Sequence, residues 1–169
     1  MRKVKFTTTM GEIVLEIDDD KAPNSSKNMI DYIEADHYKG LLFHRVIDGF
    51  MIQGGGYDKS LEKRSTSEPV ENEAKNELKN ERGTVAMARG PELHSATSQF
   101  YINVVDNPFL DHKDDSENGY GYAVFGRIVE GMDTVDKIKG VKTGARGKFD
   151  KDVPLEDIEI EKAEVEVLE

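Results

Sequence analysis

One cation and one amide stand among apolar residues in the stretch Phe43-His44-Arg45-Val46-Ile47-Asp48-Gly49-Phe50-Met51-Ile52-Gln53-Gly54-Gly55-Gly56. Asp48-Gly49 accepts the positive φ of a tight turn, so the stretch reads as two short strands joined by a hairpin. Pairing those strands brings Arg45, Phe50, Met51 and Gln53 together as a guanidinium, an amide and an apolar floor. That set suits a ligand with an apolar ring beside a carbonyl or amide nitrogen. A proline-containing peptide is such a ligand. The competing use of the same residues is structural, with Phe, Val, Ile and Met as core, the three glycines as a bend or bulge, and Arg45 as a surface or ion-pair residue. A phosphate-binding role for Gly54-Gly55-Gly56 is disfavoured, because no Lys-Ser/Thr follows to complete a P-loop.

The elements that must hold this stretch are mainly strands. Val4, Phe6 and Thr8 alternate with polar residues, as do Ile13, Leu15 and Ile17, which predicts a hairpin with one buried face. Asp18-Asp19-Asp20 closes it as a solvated turn; the run lacks the alternating ligands of a calcium loop. Pro23 suits the first turn of a helix, and Ser26, Met29, Ile30 and Ile33 form its apolar stripe. Residues 57–80 read as a long polar surface loop, and loops of that length in a compact domain are usually functional or mobile. Residues 84–88, 99–105 and 122–129 read as strands, and Gly131-Met132-Asp133 opens a short helix that turns Val135 and Ile138 inward. Residues 140–154 read as a glycine- and charge-rich loop. In the last strand Ile158 and Ile160 share one parity while Ala163, Val165 and Val167 share the other, so a β-bulge is expected near Glu161-Lys162. Pairing that strand with residues 4–8 would protect both termini.

The 169 residues suffice for one domain with a substantial core, taken as residues 1–169, and the 37% apolar and 34% charged content is that of a globular protein. A net charge of −11 opposes nonspecific binding to nucleic acid or anionic membranes. Without cysteine there is no disulfide framework or thiolate zinc site, and the four histidines, His37, His44, His94 and His112, lack metal-ligand spacing. No apolar run follows the basic N-terminus and none approaches a membrane span, so a cytoplasmic location is the expectation. His94-Ser95 beside an acidic residue suggests a nucleophilic triad, but no nucleophile elbow precedes Ser95.

Three blocks, in order, carry a family resemblance: the Phe43–Gly56 stretch; Gly83-Thr84-Val85-Ala86-Met87-Ala88-Arg89 with Ser98-Gln99-Phe100-Tyr101-Ile102; and Phe109-Leu110 with Val124-Phe125-Gly126-Arg127-Ile128-Val129-Glu130-Gly131-Met132. Over nearly the whole chain they resemble the cyclophilins, the peptidyl-prolyl cis/trans isomerases, and specifically their bacterial branch. The resemblance implies a mainly β fold, an eight-stranded closed antiparallel β-barrel capped by two α-helices. It implies catalysis by Arg45 and Gln53, with the substrate bound by Phe50, Met51, Ala88, Arg89, Gln99, Tyr101, Phe109, Leu110 and Tyr122. It also implies that no metal, cofactor or covalent intermediate takes part, and that the partners are proline-containing peptides and unfolded or flexible chains. A monomer is expected. Arg89, Phe109 and Tyr122 stand where many eukaryotic members have Asn, Trp and His; the missing indole predicts weak cyclosporin binding. Tyr101 replaces the usual Phe, so its hydroxyl needs a partner or water.

Two other classes of function compete. A proline-peptide binding module would not require a donor aimed at the imide nitrogen, so Arg45 and Gln53 favour the enzyme. A lipocalin-like barrel would bind small molecules in an apolar lumen, against which the long loops and the Arg-Phe-Met-Gln cluster speak.

Overall fold

The alternating apolar residues of the first hairpin bury one face of β1 (Arg2–Thr8) and β2 (Gly11–Ile17). The computed structural model describes residues 2–166. It continues with β3 (Arg45–Ile47), β4 (Met51–Gly54), β5 (Thr84–Met87), β6 (Phe100–Asn103), β7 (Val124–Glu130), β8 (Thr143–Arg146), β9 (Phe149–Pro154) and β10 (Ile160–Glu166). Two helices, α1 (Pro23–Glu34) and α2 (Met132–Lys139), interrupt the strands. Eight strands form one antiparallel sheet in the order β10-β1-β2-β7-β5-β6-β4-β3. The last strand pairs with β1, and the ladder jumps from Thr7↔Lys162 to Thr8↔Ile160, which leaves Glu161 as the bulged residue that the parity change predicts. Val167 of that strand lies outside the described residues.

Closure of the barrel is less complete than expected. The sheet edges β10 and β3 are joined by residues 40–43 instead of a continuous ladder. The Gly40 N–H donates to Ile160 O at 2.8 Å, Ile160 N–H to Leu41 O at 2.8 Å, and Phe43 N–H to Ile158 O at 2.9 Å. Gly40 turns with φ +85° and Leu41 N–H bonds back to Tyr38 O, so only Leu42 is extended enough to form a β-bridge, to Glu159.

The interior is filled. Met29 and Ile30 of α1 and Val135 and Ile138 of α2 join the inward residues of the sheet in one apolar core. At its centre Phe6 stacks on Phe100 at 5.2 Å, and Tyr38 meets both edge-on at 5.7 Å while its buried hydroxyl donates to Ser98 O. Among the described residues, these side chains occupy the space that a lipocalin-type lumen would take. Among the described residues no helix is long and apolar enough to cross a membrane.

The 57–80 loop is anchored to the fold at α1. No side chain of the helix caps its own N-terminus; instead the Glu73 carboxylate accepts from the N–H groups of Asn24 at 3.1 Å and Ser25 at 2.7 Å. An acid placed there satisfies two orphan donors and opposes the helix dipole. Residues 140–154, read from sequence as a loop, contain the β8–β9 hairpin. Its strands are exposed or half-buried at all but Val153 and Pro154 and show no apolar alternation, so periodicity could not reveal them. Phe149 and Val153 hold the hairpin, with Phe149 packing on Tyr57 at 5.1 Å and His44 at 5.6 Å.

His44 is buried there, its Nδ1 has no partner among the described residues, and burial lowers its pKa from 6.5 to about 4. Two predictions follow from these contacts. Glu73→Ala should cost about 1 kcal/mol by urea denaturation, whereas a change of a few tenths would mean that the helix end is capped by water. For His44, the unfolded chain takes up the proton first. Its contribution to stability is therefore complete above pH 6.5, falls as the pH drops from 6.5 to about 4, and is flat below. The ceiling of that loss is about 3 kcal/mol, and His44→Phe should flatten the profile in that window.

Candidate active site

Side chains on a strand alternate between faces, and residues in register across a sheet stand side by side. Both rules apply at β3, β4, β6, β5 and β7. The register pairs Arg45 with Gln53, Gln53 with Tyr101, Tyr101 with Ala86, and Ala86 with Val124. These five residues form one row across five strands, with neighbouring strands about 4.8 Å apart. Their sequence neighbours Val46, Ile52, Ile102, Val85 and Phe125 all face the filled interior. The row therefore lies on the outer face of the sheet, where Met51, Ala86, Tyr101 and Val124 form a second, smaller apolar cluster bordered by Phe50, Leu110, Ala88 and Tyr122.

A cavity of about 340 Å³ opens over this cluster. It is lined by Arg45, Phe50, Met51, Gln53, Ala88, Arg89, Tyr101, Phe109, Leu110 and Tyr122. The eleventh sequence candidate, Gln99, does not line the cavity but accepts a hydrogen bond from Gln53. Tyr101 and Met51 are buried floor, Phe50, Leu110 and Tyr122 are half-buried walls, and Phe109 is 60% exposed at the rim with its ring stacked on Phe50 at 5.6 Å. Phe109 and Leu110 are placed by a single 3-10 turn, Pro108–Leu110.

The polar groups are arranged in a line. Arg45 Nη1 donates to Gln53 Oε1 at 3.2 Å, and Gln53 Nε2 donates to Gln99 Oε1 at 2.9 Å. This chain fixes the amide orientation of Gln53, with its oxygen toward the guanidinium. It also explains the third glycine: a Cβ on Gly56 would lie 2.5 Å from Gln99 Cγ, so only glycine leaves room for that side chain. Arg45 itself is exposed. Arg89 faces the other way. Its guanidinium donates to the carbonyls of Gly121 and Gly90 and lies 4.6 Å from the Tyr122 ring centroid. Its main-chain groups carry no hydrogen bond among the described residues.

Sequence reading missed the support behind the floor. The Tyr101 hydroxyl donates to Asn80 Oδ1 at 2.7 Å, so it points away from the pocket. Burial pushes this phenol well above its ordinary pKa, and it stays a protonated donor. Asn103 Nδ2 also donates to Asn80 Oδ1, at 3.1 Å. Asn107 Nδ2 reaches Asn103 Oδ1 at 2.8 Å and Phe50 O at 2.9 Å. The three asparagines are buried and tie the loop before β5, strand β6, the turn before Phe109 and the hairpin at Phe50 into one unit. A detectable signal existed: Asn103 interrupts the apolar run Tyr101-Ile102-Asn103-Val104-Val105, and a polar residue inside such a strand must be hydrogen-bonded. The His94-Ser95 pair, by contrast, shapes a turn. Ser95 Oγ donates to Glu92 O and accepts from Gly90 N–H, while His94 Nδ1 accepts from Asn72 N–H.

Asn80→Ala leaves a buried phenol and a buried amide short of an acceptor, a loss of roughly 1–3 kcal/mol. Adding Tyr101→Phe should return part of it, giving a non-additive double-mutant cycle in urea denaturation. Strict additivity would mean that the hydroxyl finds water instead.

Residues 3–165 match the family described as cyclophilin type peptidyl-prolyl cis-trans isomerase/CLD. Peptidyl-prolyl cis-trans isomerase B of Escherichia coli (strain K12) is 54% identical over 162 residues, spanning 96% of this chain and 98% of that protein. Peptidyl-prolyl cis-trans isomerase cyp18 of Streptomyces antibioticus is 51% identical over 165 residues, spanning 98% and 99%. Among solved structures, a cyclophilin type peptidyl-prolyl cis-trans isomerase of Cryptosporidium parvum, determined in the presence of the dipeptide Ala-Pro, is similar with a TM-score of 0.75 at 25% identity, covering 98% of this chain and 99% of that one. A row of register-paired residues under an exposed arginine, a filled barrel and these matches over nearly the full length lead to one conclusion: the chain belongs to the cyclophilin-type peptidyl-prolyl cis-trans isomerases.

Proposed function

We propose that this protein accelerates rotation about X–Pro peptide bonds in flexible or unfolded chains, with Arg45 as the donor to the prolyl nitrogen in the twisted state. The barrier to that rotation, roughly 18–20 kcal/mol, comes from the double-bond character of the C–N bond. No bond breaks, so the protein has only to bind the twisted amide better than either planar form. In the twisted amide, resonance is lost and the nitrogen gains a lone pair that accepts a hydrogen bond. A guanidinium is a permanent donor, and it acts more strongly once the substrate has displaced water from around it.

The observation that carries this reading is the Arg45–Gln53–Gln99 line set beside an apolar floor of Met51 and Tyr101 with Leu110 as a wall. The floor takes the pyrrolidine ring, and Gln53 orients both Arg45 and the substrate carbonyl. The open main-chain groups of Arg89 hold the substrate backbone, while Phe50, Phe109, Ala88 and Tyr122 close the sides. The Ala-Pro dipeptide named with the Cryptosporidium parvum structure supports a proline-containing ligand. The outward direction of the Tyr101 hydroxyl supports an undiminished proline pocket, since it adds no polar atom to the floor. Our reading further takes residues 1–169 as one isomerase domain, monomeric and cytoplasmic, working without a cofactor and binding cyclosporin weakly because Phe109 lacks an indole N–H.

The test is the cis-to-trans rate of a short X–Pro peptide. Arg45→Ala should lower kcat/KM on the order of 100-fold with the fold intact by circular dichroism, the scale set by losing one transition-state donor. Arg45→Lys should recover only part, because an ammonium lacks the planar fork. Activity indifferent to both substitutions would remove Arg45 from the mechanism.

A further inference from the structure

A second cavity, of about 430 Å³, adjoins the proline pocket and shares Arg89, Phe109 and Tyr122 with it. Its far side is formed by Glu117, Asn118 and Gly121 of the 111–121 segment. Of the two charged side chains that line it, Arg89 and Glu117, only Glu117 is unengaged among the described residues. Arg89 spends Nε, Nη1 and Nη2 on the carbonyls of Gly121 and Gly90, so this cation is turned into the wall. The other acids of the segment are engaged as well. Asp111 accepts from the main-chain and side-chain amides of Asn80, Asp114 accepts from Ser116 N–H, and Asp115 pairs with Lys75 at 3.0 Å. Glu117 is exposed and has no hydrogen-bond or ion-pair partner among the described residues. Phe109, also on the cavity, leaves 60% of its surface open although its ring stacks on Phe50.

An apolar ring and an unengaged carboxylate on one cavity match a long side chain with an apolar stem and a cationic head. We propose that this cavity is a flanking-residue subsite that takes a Lys or Arg one or two positions from the isomerised proline, with its stem over Phe109 and its head at Glu117. The proposal rests on proline occupying the Arg45–Tyr101 pocket. An extended chain advances about 3.3–3.6 Å per residue, so a side chain one or two residues away reaches the adjoining cavity. The overall charge of −11 favours the same class of substrate, because it attracts basic segments over acidic ones.

The experiment uses Ala-Pro peptides carrying Lys, Ala or Glu at each position within two residues of the dipeptide, on either side. Both kcat/KM and the Kd by calorimetry are measured for the wild type, Glu117→Gln and Glu117→Lys. At one flank the wild type should prefer Lys to Glu by about two- to five-fold in low salt, the range of a partly exposed ion pair. The preference should vanish in Glu117→Gln, reverse in Glu117→Lys and shrink at high ionic strength. No preference at any flank, or one that survives both substitutions, overturns the subsite. Failure of the isomerase reading looks different: no peptide of the series is turned over, while the ratio of Kd values still decides for or against Glu117.

Discussion

The register of the row Arg45–Gln53–Tyr101–Ala86–Val124 is the constraint on which the site depends. Each of these residues sits on a strand whose next residue is buried in the barrel interior, so the interior fixes the register and the register fixes the site. A slip of one residue in β4 would send Gln53 and Met51 inward and bring Ile52 into the pocket. Such a slip would place an amide among Phe43, Phe100 and Ile102, at the cost of a buried unsatisfied polar group. The packing that stabilises the fold is thus the same packing that aims the guanidinium.

Strands buried on both faces make this possible. β4, β5, β6 and the first half of β7 are covered inside by the core and outside by the small cluster around Met51 and Tyr101. The outer cluster is too small to close over itself, and it leaves a concave apolar surface with one edge open at Arg45. Rotation of an imide asks for little more than that: a ring pocket, a donor beside it and exclusion of water when the substrate lands. A filled interior and a site on the outer wall also allow an extended chain to pass across the surface, which a barrel that binds inside its lumen would not.

Two polar systems keep the surface from collapsing or sliding. In front, Gln99 holds Gln53 and Gln53 holds Arg45, in space that Gly56 leaves free. Behind, Asn80, Asn103 and Asn107 gather three loop ends and draw the Tyr101 hydroxyl away from the pocket. A tyrosine at the pocket floor is compatible with an apolar pocket because the partner for its hydroxyl lies on the far side. The 111–121 segment adds a neighbouring cavity that shares Arg89, Phe109 and Tyr122 with the first.

The amino-acid sequence by itself determined the strands with period-2 alternation, both helices, the Asp48-Gly49 turn and the bulge at Glu161. Each of these is a local pattern or a parity that a single buried face imposes. The residues around the pocket were legible for the same reason, since Arg45, Gln53, Phe50 and Met51 lie on one hairpin, and family resemblance supplied Tyr101, Leu110 and Tyr122. Only the tertiary structure decided what depends on distant partners. The β8–β9 hairpin carries no apolar period, and its apolar anchors Phe149 and Val153 pack against residues distant in the chain. Glu73 caps a helix some fifty residues away in sequence. Asn80 serves Tyr101 from a loop that reads as solvated surface. Barrel closure runs through residues 40–43, by main-chain hydrogen bonds to Ile158 and Ile160 and the Leu42–Glu159 bridge. In every such case the stabilising contact joins segments far apart in the chain, and neither partner's local sequence contains the other.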